Sequence, residues 1–419
     1  MKFLVVTNAP TFKTDGKFVA YAPYINEMDI WFENVKEVGI ISPATYPGSV
    51  YVKAFDRRDI NFFKLPFLKL SNPFQIIRFL LFIPLLKIKI IRSFIWADHI
   101  HLRCPGNIGL IACFIQILFP KKPKTVKYAG NWDPNSKQPW SYRLQKWILS
   151  NTFLSRNIKV LVYGDWPEQS KNIAPFFTAS FSETEKGLYN KDFTSPFKFI
   201  FVGSLSPGKQ PLFAIKLIEA LMGKGIPVKL ELYGSGVMKN ELQEYIDTKN
   251  LDPFVRLMGN LKLEELKEVY KASHFLILAS QSEGWPKAVA EAMFFGCIPV
   301  ATAVSCVPWM LGAPPAPEGG AKEITFAKRG ILAHPAPALP EDRPEGGANE
   351  NEWIENLVNR IVVLIKDTGE MKRKSLAAQD WSQEYTLERF EEGIKEILAP
   401  LPPKGELSSK PKTSKLKSK

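Results

Sequence analysis

The sequence predicts an α/β protein with two Rossmann-like parallel-sheet domains that face a central cleft. Its 419 residues suggest two or three domains at about 150 residues each. The second half alternates short apolar runs with stretches of helical spacing, and the first half repeats this alternation less regularly. Because strand, helix, strand, helix is typical of a parallel sheet covered on both faces, each half predicts one such domain.

The second half gives the clearest alternation. Strands are expected where β-branched and aromatic residues run together and stop at or near a glycine, and helices where apolar residues recur every three or four positions. A parallel sheet binds ligands at the carboxyl ends of its strands. The predicted strands are 197–202, 228–233, 255–258, 275–279 and 298–302, and the predicted helices lie around 212–222, 242–246, 263–270 and 286–295.

The first half also contains strand candidates, and a domain boundary is expected near 186–196, where polar residues, Gly187 and Pro196 interrupt the pattern. The stretch 312–347 is rich in Pro, Gly and Ala and is predicted to be mostly loop. The first-half strands are predicted at 3–7, 38–41, 99–103, 125–128 and 160–163. The predicted organisation is a first domain over 1–190, a second over 191–380, a C-terminal helix within 381–400 that packs back on the first domain, and a disordered basic tail over 401–419.

Two segments supply much of the net charge of +13. Residues 401–419 hold six lysines and one glutamate with almost nothing apolar, which predicts disorder. Residues 60–96 hold six lysines and arginines and no acidic residue, among many Phe, Ile and Leu. This mixture suits an anionic membrane surface, but it equally suits core helices whose long cations reach solvent.

Composition argues against several classes of protein. With 45% apolar residues, the chain is not expected to be mostly disordered. No stretch reaches the ~20 apolar residues that a membrane span needs, and the N-terminus reads as a strand rather than a secretory signal. The four cysteines form no C-x-x-C pair and are expected as reduced thiols in the cytosol. Helix-turn-helix, RNP and zinc-finger patterns do not occur, so nucleic acid is not an expected partner.

The most informative stretch, 280–293, contains two glutamates separated by seven residues. Glu283 lies in the turn after a buried strand, and Glu291 lies a little inside the next helix. Pro286 favours the helix start because its missing N–H costs nothing there, and Gly296 favours the helix end. Free N–H groups at the helix start suit an anion, and the flanking carboxylates suit hydroxyl groups. A nucleotide diphosphate sugar, with two phosphates between two polyols, has this chemistry.

A second stretch, 201–211, lies at the carboxyl end of the second domain's first strand. Gly203 and Gly208 allow close approach of a ligand to the backbone, and Lys209 supplies a point charge for phosphate. Neutralising a departing diphosphate is the natural task of such a lysine, and preorganised charge of this type lowers a barrier by about 3–4 kcal/mol per group. The alternatives are a solvated turn lysine and two glutamates that merely cap and decorate a helix.

From Gly203 to His334 the sequence resembles the family 4 (group 1) retaining glycosyltransferases of GT-B fold. In the first half, 97–106 followed by 127–133 resembles a subgroup used in surface polysaccharide assembly. The elements that carry the resemblance, in order, are the Val-Gly-Ser-Leu loop with Lys209, Leu-Tyr-Gly-Ser-Gly at 232–236, Gly259-Asn260, the Glu-x7-Glu element, Gly-Cys-Ile-Pro-Val-Ala-Thr at 296–302, and the Gly-Ile-Leu turn at 330–332.

The resemblance implies a role for each matching residue. Glu283 would contact the hydroxyls of the donor sugar and, with Lys209, carry catalysis. Glu291 would hold the ribose hydroxyls, and Lys209 with the N–H groups around Lys287 and Ala288 would hold the diphosphate. The other implied donor-binding positions are Gly203, Ser204, Gly234, Trp285 and, where the backbone reads the base, Asn260 and Leu261.

Two departures from the family pattern bear on these roles. Ser204 stands where the family often has Arg, so Lys209 must carry more of the phosphate charge. Gly130 and Asn131 stand where many members place a histidine at the cleft-facing end of a strand, which puts a histidine-assisted acceptor site in doubt. The candidates for contacting the acceptor are then Asn131, Asp133 and Arg103.

The expected function is transfer of a sugar from a UDP-, GDP- or ADP-sugar to a glycan or lipid-linked glycan. The resemblance adds retention of anomeric configuration, an acceptor-binding first domain and a donor-binding second domain. No metal or other cofactor is expected, because protein groups would neutralise the diphosphate and no D-x-D pair stands at a suitable strand end. The expected location is the cytoplasm, with peripheral contact at the inner face of the membrane. A nucleotide-sugar epimerase and a non-catalytic homologue with a degenerate site remain alternatives.

Overall fold

The structure, a computed structural model, describes residues 1–45, 52–66, 73–313, 324–333 and 350–399, with the backbone alone for 73–80. The predicted tail 401–419 lies outside the described residues, as do parts of the segments 60–96 and 312–347. The described ranges form two α/β domains, each built on a seven-stranded sheet, and the first domain carries an additional three-stranded sheet. The predicted fold class is confirmed.

The first domain is built on apolar strands whose side chains are buried on both faces, as a parallel sheet between helical layers requires. Its main sheet is entirely parallel and has the order β6-β4-β1-β7-β8-β9-β10, so the strand order reverses between β1 and β7. The elements are β1 (Lys2–Val6), β2 (Phe12–Thr14), β3 (Lys17–Tyr21), α1 (Ala22–Glu33), β4 (Glu37–Pro43), β5 (Val52–Ala54), β6 (Ile60–Leu65), α2 (Pro73–Trp96), β7 (His99–Cys104), α3 (Asn107–Ile115), β8 (Lys124–Tyr128), α4 (Trp140–Ser150), β9 (Ile158–Val162) and β10 (Ile173–Pro175).

The second domain repeats this topology. Its sheet has the order β13-β12-β11-β14-β15-β17-β16, reverses between β11 and β14, and is parallel except for the β16–β17 hairpin. The elements are β11 (Phe197–Val202), α5 (Pro211–Gly223), β12 (Val228–Tyr233), α6 (Lys239–Thr248), β13 (Val255–Gly259), α7 (Leu263–Ala272), β14 (Phe275–Leu278), α8 (Lys287–Phe294), β15 (Ile298–Thr302), α9 (Val307–Leu311), β16 (Thr325–Ala327), β17 (Gly330–Ala333), α10 (Glu350–Ile365), α11 (Thr368–Ser382) and α12 (Leu387–Leu398).

The stretch 312–347, predicted to be mostly loop, contains two strands of the second sheet. β17 is wholly buried and pairs with β15 in parallel, while β16 pairs back on β17. At Gly330 a Cβ atom would lie 2.5 Å from the carbonyl oxygen of Pro299, so only glycine allows β17 to approach β15 this closely. The apolar residues of β17 by themselves indicate a short buried strand. The Pro and Gly residues around it led to the prediction of a loop.

The two domains share one buried interface rich in aromatic rings. Trp381 and Tyr385 follow one another near the C-terminus and pack on each other at 4.5 Å between ring centroids. Four more aromatic residues pack around these two, and we call the six together the interdomain aromatic cluster: Tyr163, Phe177, Trp285, Trp309, Trp381 and Tyr385. The chain then returns to the first domain, because α12 packs beside α1 and the amide of Asn34 lies 3.5 Å from the carboxylate of Glu391.

Within the described ranges, none of the helices combines the length and the apolar character needed to cross a bilayer. All four cysteines are buried free thiols.

Candidate active site

The predicted anion site lies at the reversal point of the second sheet, where ligands bind in folds of this class. β14 is buried along its whole length, and the chain leaves it through a loop that leads into α8. Pro286 is the N-cap of α8, and its carbonyl accepts hydrogen bonds from the N–H groups of Val289 and Ala290 at 3.0 and 3.3 Å. The N–H groups of Lys287 and Ala288 have no acceptor among the described residues. The helix therefore offers two free donors to an anion, and the prediction of its start is right within one residue.

Lys209 and Glu283 meet across this reversal point, although 74 positions separate them in the chain. The Lys209 ammonium lies 2.5 Å from a carboxylate oxygen of Glu283, and the two side chains are 32% and 9% exposed. A hydrogen bond from the N–H of Gln281 to the carbonyl of Gly208, at 3.0 Å, ties the two loops together. The cation and the carboxylate therefore neutralise each other.

Glu291 is held by two hydroxyl groups that the sequence did not point to. Ser180, on the segment that crosses between the domains, donates to one carboxylate oxygen at 2.6 Å. Tyr270, on α7, donates to the other at 2.9 Å. Burial and then the Glu291 charge raise the pKa of Tyr270 well above its usual value, which keeps the phenol protonated as a donor. A ribose placed here would share the carboxylate with these hydroxyls.

Three strand ends form the remaining edge of the predicted donor site. Gly234 has a φ of +148°, and a Cβ there would lie 1.8 Å from the carbonyl oxygen of Gly203. The N–H of Leu205 donates to the carbonyl of Ser235 at 2.9 Å, and the Asn260 amide donates to the Ser235 hydroxyl at 3.1 Å. The loops after β11, β12 and β13 are thus hydrogen-bonded into one surface. Ser204 and Leu261 are exposed along this edge.

Trp285 is enclosed between the two domains. It is only 7% exposed and belongs to the interdomain aromatic cluster, with its ring 5.7 Å from Tyr163 and 6.2 Å from Trp381. Its indole N–H has no hydrogen-bond partner among the described residues. In this structure the ring packs the two domains together, and the predicted donor contact stays a prediction.

On the first-domain side, Arg103 forms a buried ion pair with Glu27 of α1. The guanidinium also lies over the ring of Tyr24, at 5.4 Å from its centroid. Burial acts to raise the pKa of Glu27, but the charges of Arg103 and Lys127 and the hydrogen bond from Arg103 outweigh it and lower the pKa below its usual value. Arg103 therefore has an internal partner, and an acceptor would meet it as half of an ion pair.

Asn131 and Asp133 shape the loop that follows β8. The Asn131 side chain accepts from the N–H of Asp133 at 2.9 Å, and the Asp133 carboxylate accepts from the N–H of Asn135 at 2.8 Å. This loop faces the donor side directly, because a Cβ on Gly284 would lie 2.5 Å from the carbonyl of Ala129. The loop that carries Glu283 and the loop that carries the acceptor candidates therefore touch across the cleft.

Lys127 on β8 is a buried lysine that sequence reasoning left without a role. Its ammonium donates to the carbonyl of Phe177 at 3.0 Å and lies 4.1 Å from the ring centroid of Tyr163. Burial is the main cause that lowers its pKa to about 7. This lysine fastens the domain-crossing segment to the first sheet. The feature of the sequence that could have pointed to this role is a lysine within a predicted strand of a parallel sheet, where side chains are buried.

His99 and His101 share one face of β7, as the period of two predicts, and both bond the Thr125 hydroxyl, at 3.0 and 2.8 Å. Burial lowers the pKa of His99 to about 4, so both rings belong to the core in neutral form. Among the residues that the structure describes, no three His, Cys, Asp or Glu side chains group as metal ligands. Metal-independent transfer remains a prediction.

Comparison with known sequences finds a family match in the region of the second domain. Residues 189–312 match the family described as Glycosyl transferases group 1. This segment contains all the donor-side residues predicted from the sequence. An uncharacterized glycosyltransferase of Methanocaldococcus jannaschii is 28% identical over 190 residues, which are 45% of this chain and 46% of that protein. The chain thus matches about half the length of this curated relative.

Comparison with solved structures extends to the whole chain. HepE of Anabaena, solved with UDP and glucose, superposes with a TM-score of 0.61 at 14% identity, covering 96% of this chain and 100% of HepE. A glycosyltransferase of Rickettsia africae superposes with a TM-score of 0.59 at 15% identity, covering 96% and 99%. At such identity these likenesses establish the fold alone.

The two parallel-sheet domains, each with its reversal point, define the GT-B fold. Within it, the segment 189–312 is similar in sequence to the group 1 glycosyltransferases, which supports the resemblance at the level of that family.

Proposed function

We propose that the protein transfers a sugar from a nucleotide diphosphate sugar to a glycan acceptor, lipid-linked glycans included, with retention of anomeric configuration. The observation that carries the proposal is the meeting of Lys209, Glu283 and the free N–H groups of α8 at the sheet reversal point, opposite the loop after β8. The fold is shared with HepE, whose structures hold UDP with glucose and UDP-glucose, which favours a UDP-sugar as donor.

Each group would act where charge changes during the reaction. The bond between the anomeric carbon and the diphosphate oxygen breaks with its electron pair on the diphosphate. The acceptor oxygen bonds to that carbon, and its proton passes to the leaving phosphate. Lys209 and the N–H groups of Lys287 and Ala288 stabilise the growing negative charge. Glu283, released from Lys209, accepts hydrogen bonds from the sugar hydroxyls, and Glu291 accepts from the ribose.

Retention and the surface polysaccharide role come from the family resemblance. We also propose a cytoplasmic location with peripheral contact at the inner membrane face, because segment 60–96 combines basic and apolar residues. For the acceptor, Asn131 and Asp133 are proposed as contacts because their loop faces Glu283 across the cleft.

The test is a transfer assay with UDP-, GDP- and ADP-sugars and a panel of glycan acceptors, with the product's anomeric configuration read by NMR. We expect one donor to be consumed only with an acceptor present, and we expect Glu291→Ala to weaken donor binding in a thermal-shift titration. The matched control is Glu241→Ala, an exposed glutamate on α6.

Three results would contradict the proposal in different ways. Inversion at the anomeric carbon would end the retaining assignment. Conversion of the donor to an epimeric sugar nucleotide without acceptor would favour an epimerase. Tight UDP binding with no turnover on any acceptor would favour a non-catalytic homologue.

A further inference from the structure

Three neighbouring helices of the first domain expose apolar residues along their outer faces. On α2 the stripe repeats at helical spacing for about 21 Å, given a rise of 1.5 Å per residue. Outward apolar stripes are unusual, because a surface helix normally turns polar residues to water. The α2 stripe is Leu81, Leu85, Ile88 and Ile95, with the exposed Arg92 among them; the α3 stripe, continued in the turn after it, is Phe114 and Leu118; the α4 stripe is Trp140 and Trp147, with the exposed Arg143 between them.

These residues are not members of a neighbouring core. The inward faces of the same helices are fully buried, as Leu86, Ile90 and Phe94 of α2 illustrate. By contrast, Leu81 is 75% exposed, Leu118 68%, Trp140 68%, Ile95 65% and Trp147 60%. Each helix thus has one apolar face against the sheet and a second toward solvent.

The three helices lie side by side as one layer. α3 contacts α2 on one side and α4 on the other. Beyond α3, the Lys122 ammonium donates to the carbonyl of Ile95 at the end of α2, at 3.0 Å. The Asn157 amide, after α4, donates to the carbonyl of Pro120 at 3.0 Å. The three stripes therefore belong to one continuous surface, which we call the α2–α3–α4 face.

This part of the chain is strongly basic. Residues 60–164 contain sixteen lysines and arginines and two acidic residues, Asp98 and Asp133. Asp98 accepts the backbone N–H of Lys2, and Asp133 shapes the loop after β8. On the face itself Arg92, Lys121 and Arg143 are exposed, and none of them forms an ion pair within the described residues. Tryptophan and arginine beside aliphatic side chains suit the boundary between lipid headgroups and acyl chains.

We infer that the α2–α3–α4 face docks on an anionic lipid bilayer. The inference rests on the proposed function, in which the acceptor is reached at a membrane. It assigns the membrane contact to three helices, whereas the sequence indicated only the segment 60–96. Positive charge complements anionic lipid, and the exposed apolar side chains enter the headgroup region. The alternative occupant, a second copy of this basic chain, would bring the same positive charges together at the contact.

The experiment measures sedimentation of the full-length protein with vesicles of phosphatidylcholine, with or without phosphatidylglycerol, at low and high salt. We expect binding only to the anionic vesicles and release by salt. The double variant L118E/W147E should lower the partition coefficient at least about tenfold, and R92E/R143E should do so as well, since each nearby cation contributes several-fold. The matched control is Val363→Glu on α10 of the second domain, which is 59% exposed and should leave partitioning unchanged.

A thermal-shift titration with UDP on each variant separates this inference from the proposed function. An unchanged UDP response together with lost vesicle binding supports the docking face. The inference is overturned if the wild-type protein does not bind anionic vesicles at low salt, or if L118E/W147E binds them as well as the wild type does. It is also overturned if the wild type is a dimer that L118E/W147E dissociates while vesicles bind neither form, since a second copy then covers the face.

Discussion

Replacing Lys209 by methionine tests whether its pair with Glu283 is a catalytic device or a structural one. The ammonium lies 2.5 Å from the carboxylate, and Glu283 is 9% exposed while Lys209 is 32% exposed. Because the glutamate is left nearly buried without its cation, K209M should destabilise the fold by about 1–2 kcal/mol, between the values for exposed and buried pairs. Turnover should fall about a hundredfold or more, since the same cation neutralises the departing diphosphate.

The double variant K209M/E283Q separates the two effects. A glutamine needs no counter-charge, so the double variant should regain most of the stability that K209M loses. It should not regain turnover, because the diphosphate still lacks its cation and the sugar hydroxyls lack a charged acceptor. Stability is read from the midpoint of urea unfolding at constant m-value, and turnover from donor consumption with a saturating acceptor.

The pair of Lys216 with Glu350 provides the control. Its atoms are 2.8 Å apart and the side chains are 29% and 27% exposed, but it joins two helices, α5 and α10, and not the loops that follow the strands. K216M should change stability by at most about 1 kcal/mol and leave turnover unchanged. Wild-type turnover in K209M, or recovery of turnover in K209M/E283Q, would refute the assigned role of Lys209.

Three more predictions follow from the site and the core. Tyr270→Phe removes one of the two hydroxyls that hold Glu291, so the donor KM should rise by roughly three- to tenfold with kcat little changed; an unaltered KM would contradict this. Gly234→Ala places a Cβ against the Gly203 carbonyl, so urea unfolding should show a loss of at least about 2 kcal/mol, and a neutral effect would mean that the two loops can separate. Burial lowers the pKa of His99 to about 4 from its usual ~6.5. As the pH falls, the unfolded chain therefore takes up a proton before the folded one does, so the stability from the neutral ring is full above pH ~6.5 and falls toward pH 4. Between pH 7.5 and 5, His99→Gln should lose about 2 kcal/mol less stability than the wild type loses. Equal slopes of stability against pH for the two proteins would contradict the assignment.

The pairing of Lys209 with Glu283 also bears on the departure at Ser204. Where the family often has an arginine, this chain has an exposed serine whose hydroxyl lies 3.0 Å from that of Ser206. The serine carries no charge, so more of a diphosphate's charge would fall to Lys209 and the two free N–H groups of α8. The large effect expected for K209M follows from that shortage.

Local sequence patterns predicted correctly those features that depend on neighbouring residues alone. The strand and helix alternation, the start of α8 just after Pro286 and its end just before Gly296 follow from φ preferences and apolar periodicity, which neighbouring residues determine. The same patterns failed for β16 and β17, whose flanking Pro and Gly residues resemble a loop. They also missed the outward stripes of α3 and α4, because periodicity gives a helix an apolar face but does not say whether a sheet covers it.

The sequence alone determined the α/β class, the two halves, and the residue types that suit a diphosphate sugar: Lys209, Glu283 and Glu291. Tertiary structure decided their partners. It joined Lys209 to Glu283, gave Glu291 the hydroxyls of Ser180 and Tyr270, and enclosed Trp285 in the interdomain aromatic cluster. The physical reason is that a conformational preference acts over a few neighbouring residues, whereas an ion pair or a ring contact between distant positions exists only after the sheets have brought those positions together.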